Sequence, residues 1–293
     1  MGKKDIAEKS LLAYNDVFAD IVDALVFKGE KVVKEQDLQD AKTDSIYKFE
    51  EAKSQIRDVA KFWQNGTIRI GCIGFENQTC IDTDMVIRVL SYDGASYRSQ
   101  LDDKSRSERY PVLTLVLYFG TESKWEKNTR LLERVKVRDE RLLPFLNDYK
   151  INVFNLAWLT DEEISRFQSD FRDVLGYLRA VRLKKAYEGS QKKIDHIEAI
   201  LDLFKALSGN IRFDEIKSNI LSAAEMQGGV KMFDVFQATM DKGFALGEQK
   251  GISAMTSLML RLYEQGREDD LKRALGDKEY LMRLLSEHPE SAL

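Results

Sequence analysis

Apolar residues recur at helical spacing through residues 6–28, where Leu11, Phe18, Ile21, Val22 and Leu25 form one stripe. Asp16, Asp20 and Asp23 share the polar remainder of that predicted helix, and Lys28-Gly29-Glu30 closes it, with glycine just past its end. Residues 31–55 are polar and turn-rich, with a short strand expected near Ile46 to Phe49. Between Arg57 and Gln78 two β-type runs flank Asn65-Gly66, a pair that supplies the positive φ angles of a tight hairpin turn. A helix is expected from Met85 to Leu101. The unbroken apolar run from Pro111 to Tyr118 suits a strand buried on both faces. Trp125 to Arg141 is charged and amphipathic, a mixture of helix and loop that Pro144 breaks. Ile151 to Trp158 reads as a further strand.

Thr160-Asp161-Glu162-Glu163 is a capping-box sequence. It opens a helix predicted to run to about Leu183, with Ile164, Phe167, Phe171, Val174, Leu175 and Leu178 as its buried stripe. Helix, strands, helix, strand, strand is the order of an α/β layer fold, so residues 1–185 read as one α/β domain. Beyond Gly189 the pattern is helical throughout, and residues 186–293 read as an all-helical C-terminal region. Its expected pieces are 194–207, stopped by Ser208-Gly209-Asn210, then 213–226 and 230–240, separated by Gly228-Gly229. Gly243, Gly247 and Gly251 then recur every fourth residue, as either a close helix contact or a connector. An apolar helix at 254–263 and two short helices broken at Gly276 end the chain. This tail reads as an oligomerisation or partner-binding module, and a homo-oligomer through these helices is expected.

Composition narrows the class. The 293 residues suffice for a substantial core, and 32% charged with 43% hydrophobic residues describe a soluble, folded chain. A net charge of −4 argues against a histone-like binder but leaves room for a local basic groove. With two cysteines a disulfide framework is not expected, and a reduced cytoplasmic setting fits. His196 and His288 stand far from Cys72 and Cys80 in sequence, so no zinc site is expected. No apolar stretch follows Met1–Asp5, so no signal peptide is expected. No run approaches the roughly 18 apolar residues of a membrane span.

The stretch from Arg57 to Gln78 carries the candidate chemistry. If its two runs pair about Asn65-Gly66, Asp58 and Glu76 come to one end of the ribbon. Two carboxylates brought together repel unless a cation joins them, and a hard divalent ion such as Mg²⁺ suits oxygen ligands. Such an ion can polarise a phosphoryl oxygen and activate water. The alternative is that Glu76 and Gln78 are solvated residues where a strand leaves the core. Asp82 and Asp84 are read as caps of the following helix, with metal ligation as the alternative. Arg172, Arg179, Arg182, Lys184 and Lys185 cluster along the helix after the capping box. That cluster suits either a phosphate backbone or a solvated face that complements the helix C-terminus.

Asp58 followed by Glu76-Asn77-Gln78 resembles the PD-(D/E)XK nuclease signature. Tyr14-Asn15-Asp16-Val17-Phe18-Ala19-Asp20, Arg57-Asp58-Val59, Gly74-Phe75-Glu76-Asn77-Gln78-Thr79 and Val116-Leu117-Tyr118-Phe119-Gly120 come in that order. Together, over roughly residues 10–180, they resemble the recombination-promoting nuclease family, whose other label is a YhgA-like transposase. The resemblance implies a restriction-endonuclease-like core, a mixed sheet flanked by helices, and a metal-dependent DNA endonuclease that promotes recombination in a bacterial cell. It implies Asp58 and Glu76 as ligands of Mg²⁺, with Mn²⁺ as a substitute and the backbone carbonyl of Asn77 completing the protein set. Asp16 on the first helix would join them. Gln78 stands where the superfamily usually has lysine, and can orient the attacking water without supplying positive charge. The family has an arginine and a tyrosine at places similar to Arg88 and Tyr92, four apart on one helix face, which would meet the phosphate or the DNA backbone, the alternative being an exposed arginine and a packed tyrosine. Arg179 and Arg182 of the basic cluster are further candidates for contact with DNA, from their charge alone. The competing class is a catalytically weak or inactive nuclease-like scaffold that acts as an interaction or DNA-binding protein.

Overall fold

The apolar runs on either side of Asn65-Gly66 are paired strands. This is seen in a computed structural model that describes residues 3–41, 44–46, 54–56, 59–63, 68–75, 81–102 and 108–287. The chain forms two compact units, residues 1–234 and residues 235–293. The first unit begins with α1 (Lys3–Leu12) and α2 (Asn15–Leu25), then β1 (Gln39–Asp40), β2 (Asp44–Ile46) and β3 (Ser54–Ile56). It continues with β4 (Val59–Trp63), β5 (Ile68–Phe75), α3 (Met85–Asp102), β6 (Val112–Tyr118), α4 (Leu131–Arg134) and β7 (Asn152–Asn155). Helices α5 (Asp161–Ser165), α6 (Phe171–Arg182), α7 (Ile197–Ser208) and α8 (Arg212–Gln227) complete it.

Five strands make one mixed sheet in the order β1-β4-β5-β6-β7, while β2 and β3 form a separate ribbon. β4 and β5 are antiparallel, with Val59 opposite Cys72 and Trp63 opposite Ile68. β5, β6 and β7 are mutually parallel, and Phe75 pairs with Tyr118, which pairs with Asn155. A parallel pair needs a crossover, and α3 supplies it between β5 and β6. One sheet face is covered by α3: Met85, Val86, Val89 and Tyr92 pack with Val116, Tyr118, Trp125 and Ile151. α2 and the turn after it meet the other face. The Lys61 ammonium lies 5.8 Å from the Phe18 ring, and the Phe27 and Trp63 rings meet edge-on at 5.8 Å.

Several boundaries differ from the sequence expectation, each for a tertiary reason. The single helix predicted over 6–28 is two helices that break at Ala13-Tyr14, where the Tyr14 ring stacks on His196. Asp20 and Asp23, expected on a polar face, are buried and accept backbone N–H groups: Asp20 from Gln168 and Ser169, Asp23 from Val32 and Val33. The first of these explains a second difference. The helix predicted from the capping box to about Leu183 stops at Ser165 and resumes at Phe171, because Asp20 draws the N–H groups of the intervening turn away from helical pairing. Trp125 is buried against the sheet, and between it and Arg141 only Leu131–Arg134 is α-helical. Pro144 lies inside a 3-10 turn, Glu140–Phe145.

The expected boundary after residue 185 falls within the first unit, because α7 packs on α1 and on α8, where the Phe204 and Phe213 rings stack at 5.8 Å. Gly209 and Gly228 end α7 and α8 in the left-handed conformation that glycine adopts without strain, as the sequence suggested. The pieces predicted at 230–240 and 254–263 are one helix, α9 (Met232–Glu264), continuous through all three periodic glycines. In the second unit, α10 (Glu268–Gly276) and α11 (Lys278–Glu287) join α9 through Leu258, Leu262, Ala274, Tyr280 and Leu284. The Tyr280 ring lies between the guanidinium groups of Arg273 (4.3 Å) and Arg283 (4.9 Å).

Candidate active site at the carboxyl edge of the sheet

Strands β5, β6 and β7 all finish at one edge, at Phe75, Tyr118 and Asn155. β4 runs the other way and starts opposite Cys72, three residues before β5 ends at Phe75. Open α/β sheets bind ligands outside the carboxyl ends of their parallel strands. In sequence, Asp58 immediately precedes Val59 and Glu76 immediately follows Phe75. Asp58, Glu76, Asn77 and Gln78 themselves lie outside the described residues, as does the Asn65-Gly66 turn. The ribbon that carries them is paired as the sequence predicts, in a register set by Val59 opposite Cys72.

On α2, Phe18 lies near Lys61 of β4, and Phe27, just past the helix, meets Trp63. The Asp16 carboxylate faces His196, whose Nε2 is 2.9 Å from Oδ1 and 2.8 Å from Oδ2. The Tyr14 ring stacks on the imidazole at a centroid distance of 3.7 Å. The backbone N–H of His196 donates to the buried Asp170 carboxylate at 2.7 Å. Burial pushes the Asp170 carboxyl above its ordinary value, against the opposing pull of the N–H groups of His196 and Asp195. The sequence offers no signal for the Asp16–His196 pair, since its members stand 180 residues apart.

Asp82 and Asp84 stand at the start of α3. Asp82 accepts the Asp84 N–H at 2.9 Å and the Arg88 guanidinium at 2.8 Å, and Asp84 pairs with Arg134. Arg88 also approaches the hydroxyl of the buried Tyr92, at 3.4 Å. Burial pulls the Arg88 guanidinium down, but its bonds to Tyr92 and Asp82 outweigh that and raise it. On α6, Arg179 pairs with Asp161. Arg182 donates to the Ala157 carbonyl at 2.7 Å, with its guanidinium 5.6 Å from the Trp158 ring centroid. These four side chains thus have partners within the protein, whereas Arg172, Lys184 and Lys185 are exposed. One cation lies where the sequence pattern gave no warning: Lys61, on the inner β4 strand, is buried and bonded to Asp40 at 2.6 Å.

Among the described residues no three His, Cys, Asp or Glu side chains gather as a metal site. No helix among them is long and apolar enough to cross a membrane. No curated protein matches the chain, and no solved structure does. Residues 63–207 match the family model described as "Putative transposase, YhgA-like". The match takes in Glu76, Asn77, Gln78 and His196 and begins after Asp16 and Asp58. Residues 63–207, from the last residue of β4 to the last turn of α7, are thus similar to the YhgA-like transposase family.

Proposed function

We infer that this chain is a metal-dependent DNA endonuclease with a PD-(D/E)XK, restriction-endonuclease-like core, acting in the bacterial cytoplasm and promoting recombination. One observation carries the reading. The strand that follows Asp58 and the strand that precedes Glu76 are antiparallel neighbours at the carboxyl edge of a mixed sheet, with helices on both faces. The family match supports a nuclease-type role for this edge.

The donor set suits the proposed ion: the Asp58 and Glu76 carboxylates and the Asn77 carbonyl are hard oxygen donors of the kind Mg²⁺ or Mn²⁺ takes. Bound there, the ion would polarise a phosphoryl oxygen and activate a water. Gln78 would hold the attacking water by hydrogen bonds through its amide. An amide carries no charge, so it stabilises developing negative charge less than the usual lysine. The exposed Arg172 at the start of α6 and Lys184 and Lys185 just beyond its end are cations available to phosphates, and Arg88 stands at the start of α3, paired with Asp82.

The test is Mg²⁺-dependent nicking of plasmid DNA by the purified protein beside Glu76→Ala and Asp58→Asn. Nicking by the wild type alone is expected. Equal nicking by all three proteins would reject the site.

A further inference from the structure

Between β6 and β7 the chain makes a long excursion that is pinched at its neck. Arg130 and Lys150 form an antiparallel bridge, the Leu131 N–H donates to the Tyr149 carbonyl at 2.9 Å, and the Ile151 N–H donates to the Thr129 carbonyl at 3.0 Å. Arg134 pairs with Asp84 at 2.5 Å, which ties the excursion to the start of α3. Beyond the neck comes the 3-10 turn Glu140–Phe145, entered through Asp139. The Asp139 carboxylate accepts the Arg141 N–H at 3.0 Å and its guanidinium at 2.6 Å. Side chains three apart eclipse in a 3-10 turn, so Leu142 and Phe145 share one face of it.

That face is apolar and in water. Phe145 is 83% exposed and Leu142 53%, and Val135, Leu143 and Leu146 are exposed as well. A contiguous exposed apolar patch marks a contact surface. Val135, Val137, Leu142 and Leu146 line, with Lys136 and Arg138, a groove of about 490 Å³. The charge here is complementary to a polyanion. Over residues 130–141 five basic residues stand against three acidic ones, in a chain of net charge −4. Arg130, Arg134 and Arg141 are paired with acids, but the side chains of Lys136 and Arg138 have no partner among the described residues. Asp139 and Asp148 face arginines and Glu133 accepts the Thr129 N–H, which leaves Glu140 as the uncommitted acid of this stretch among the described residues. Free cations beside exposed Phe and Leu side chains suit duplex DNA, whose outside is phosphate and whose inside is apolar and stacked.

We propose that Phe145 and Leu142 form a wedge that enters a base step of duplex DNA and kinks it, while Lys136 and Arg138 hold neighbouring phosphates. Side chains of these types inserted between base steps unstack and bend the duplex. The choice of DNA as partner rests on the endonuclease reading above; the wedge itself needs no metal ion.

The experiment binds the full chain, without divalent ion, to a short duplex that carries 2-aminopurine and a fluorophore pair at its ends. The wild type is expected to raise 2-aminopurine fluorescence and to bring the two ends closer. Phe145→Ala is expected to abolish both signals and to weaken binding about 10-fold, the size of one lost base–aromatic stack. Phe145→Leu, an aliphatic wedge, is expected to keep part of both signals. Lys136→Ser with Arg138→Ser is expected to lower the slope of log affinity against log salt by about 2, one for each phosphate released. All these side chains are exposed, and circular dichroism checks that the variants fold. Wild-type affinity and fluorescence in Phe145→Ala overturn the wedge, and a shift in sedimentation of that variant with DNA binding unchanged assigns the patch to a protein contact instead. No duplex binding by the wild type, with plasmid still nicked in Mg²⁺, overturns this proposal alone. A Phe145-dependent kink without Mg²⁺-dependent nicking upholds the wedge and overturns the endonuclease reading.

Discussion

The Asp20 carboxylate accepts the backbone N–H of Ser169 at 2.7 Å and that of Gln168 at 2.8 Å, with Asp20 itself buried. A side chain on the second helix thereby satisfies the backbone of a turn that two later helices share. Lys31 offsets the charge at 3.3 Å. Asp20→Ala leaves two backbone donors unpaired, a loss of about 2–4 kcal/mol. Asp20→Asn, which keeps one acceptor oxygen, should lose less. Urea unfolding reads this as a lowered midpoint at unchanged slope. An unaltered midpoint in Asp20→Ala would refute the capping role.

The capping box is a smaller and more local effect. Glu163 donates its N–H to the Thr160 hydroxyl at 3.2 Å, and Thr160 returns its own N–H to the Glu163 carboxylate at 2.7 Å. Thr160→Ala should cost about 1 kcal/mol. The Thr160 N–H holds the Glu163 carboxyl below its ordinary value. A lowered folded-state value means the stabilisation is present above the ordinary glutamate range and fades as pH falls through the lowered value. Melting temperatures followed from neutral to acid pH should therefore converge for wild type and Glu163→Gln. Parallel curves would contradict this.

Gly120 closes the motif Val116–Gly120 for want of space. A methyl group there would overlap the ring and hydroxyl of Tyr118, which is buried between Trp125 and Trp158. Gly120→Ala should destabilise the first unit by about 1–3 kcal/mol, as overpacking does. Thermal unfolding tests it, and unchanged stability would mean that Tyr118 moves freely.

Gln78 tests the proposed chemistry directly. Loss of one preorganised hydrogen-bonding group commonly lowers the rate about 100-fold, and that is the expectation for single-turnover nicking by Gln78→Ala. Gln78→Lys, which restores the positive charge, should nick faster than wild type. Wild-type rates in Gln78→Ala would remove the residue from the site.

The second unit bears on assembly. On α9 the side chains of Met240 and Phe244, one turn apart, are 45% and 72% exposed. If the chain is a homo-oligomer through its C-terminal helices, Phe244→Glu should shift sedimentation toward a smaller species. Identical sedimentation of the two proteins would exclude this face as the contact.

Local chemistry was legible in the sequence. The paired runs about Asn65-Gly66, the apolar strand ending at Tyr118, the Thr160 box and the glycines that stop α7 and α8 each depend on residues only a few positions apart. Periodicity, turn preference and capping act at that range, so reading the chain in order suffices to find them. That Asp20 is buried against a later turn, where the helix after Thr160 breaks, and that His196 faces Asp16 were decided only when segments well over a hundred residues apart came into contact. A pattern of hydrophobic and polar positions ranks aspartate as a surface residue. It cannot register a backbone N–H or an imidazole arriving from the far end of the first unit, and those arrivals determine what Asp16 and Asp20 do.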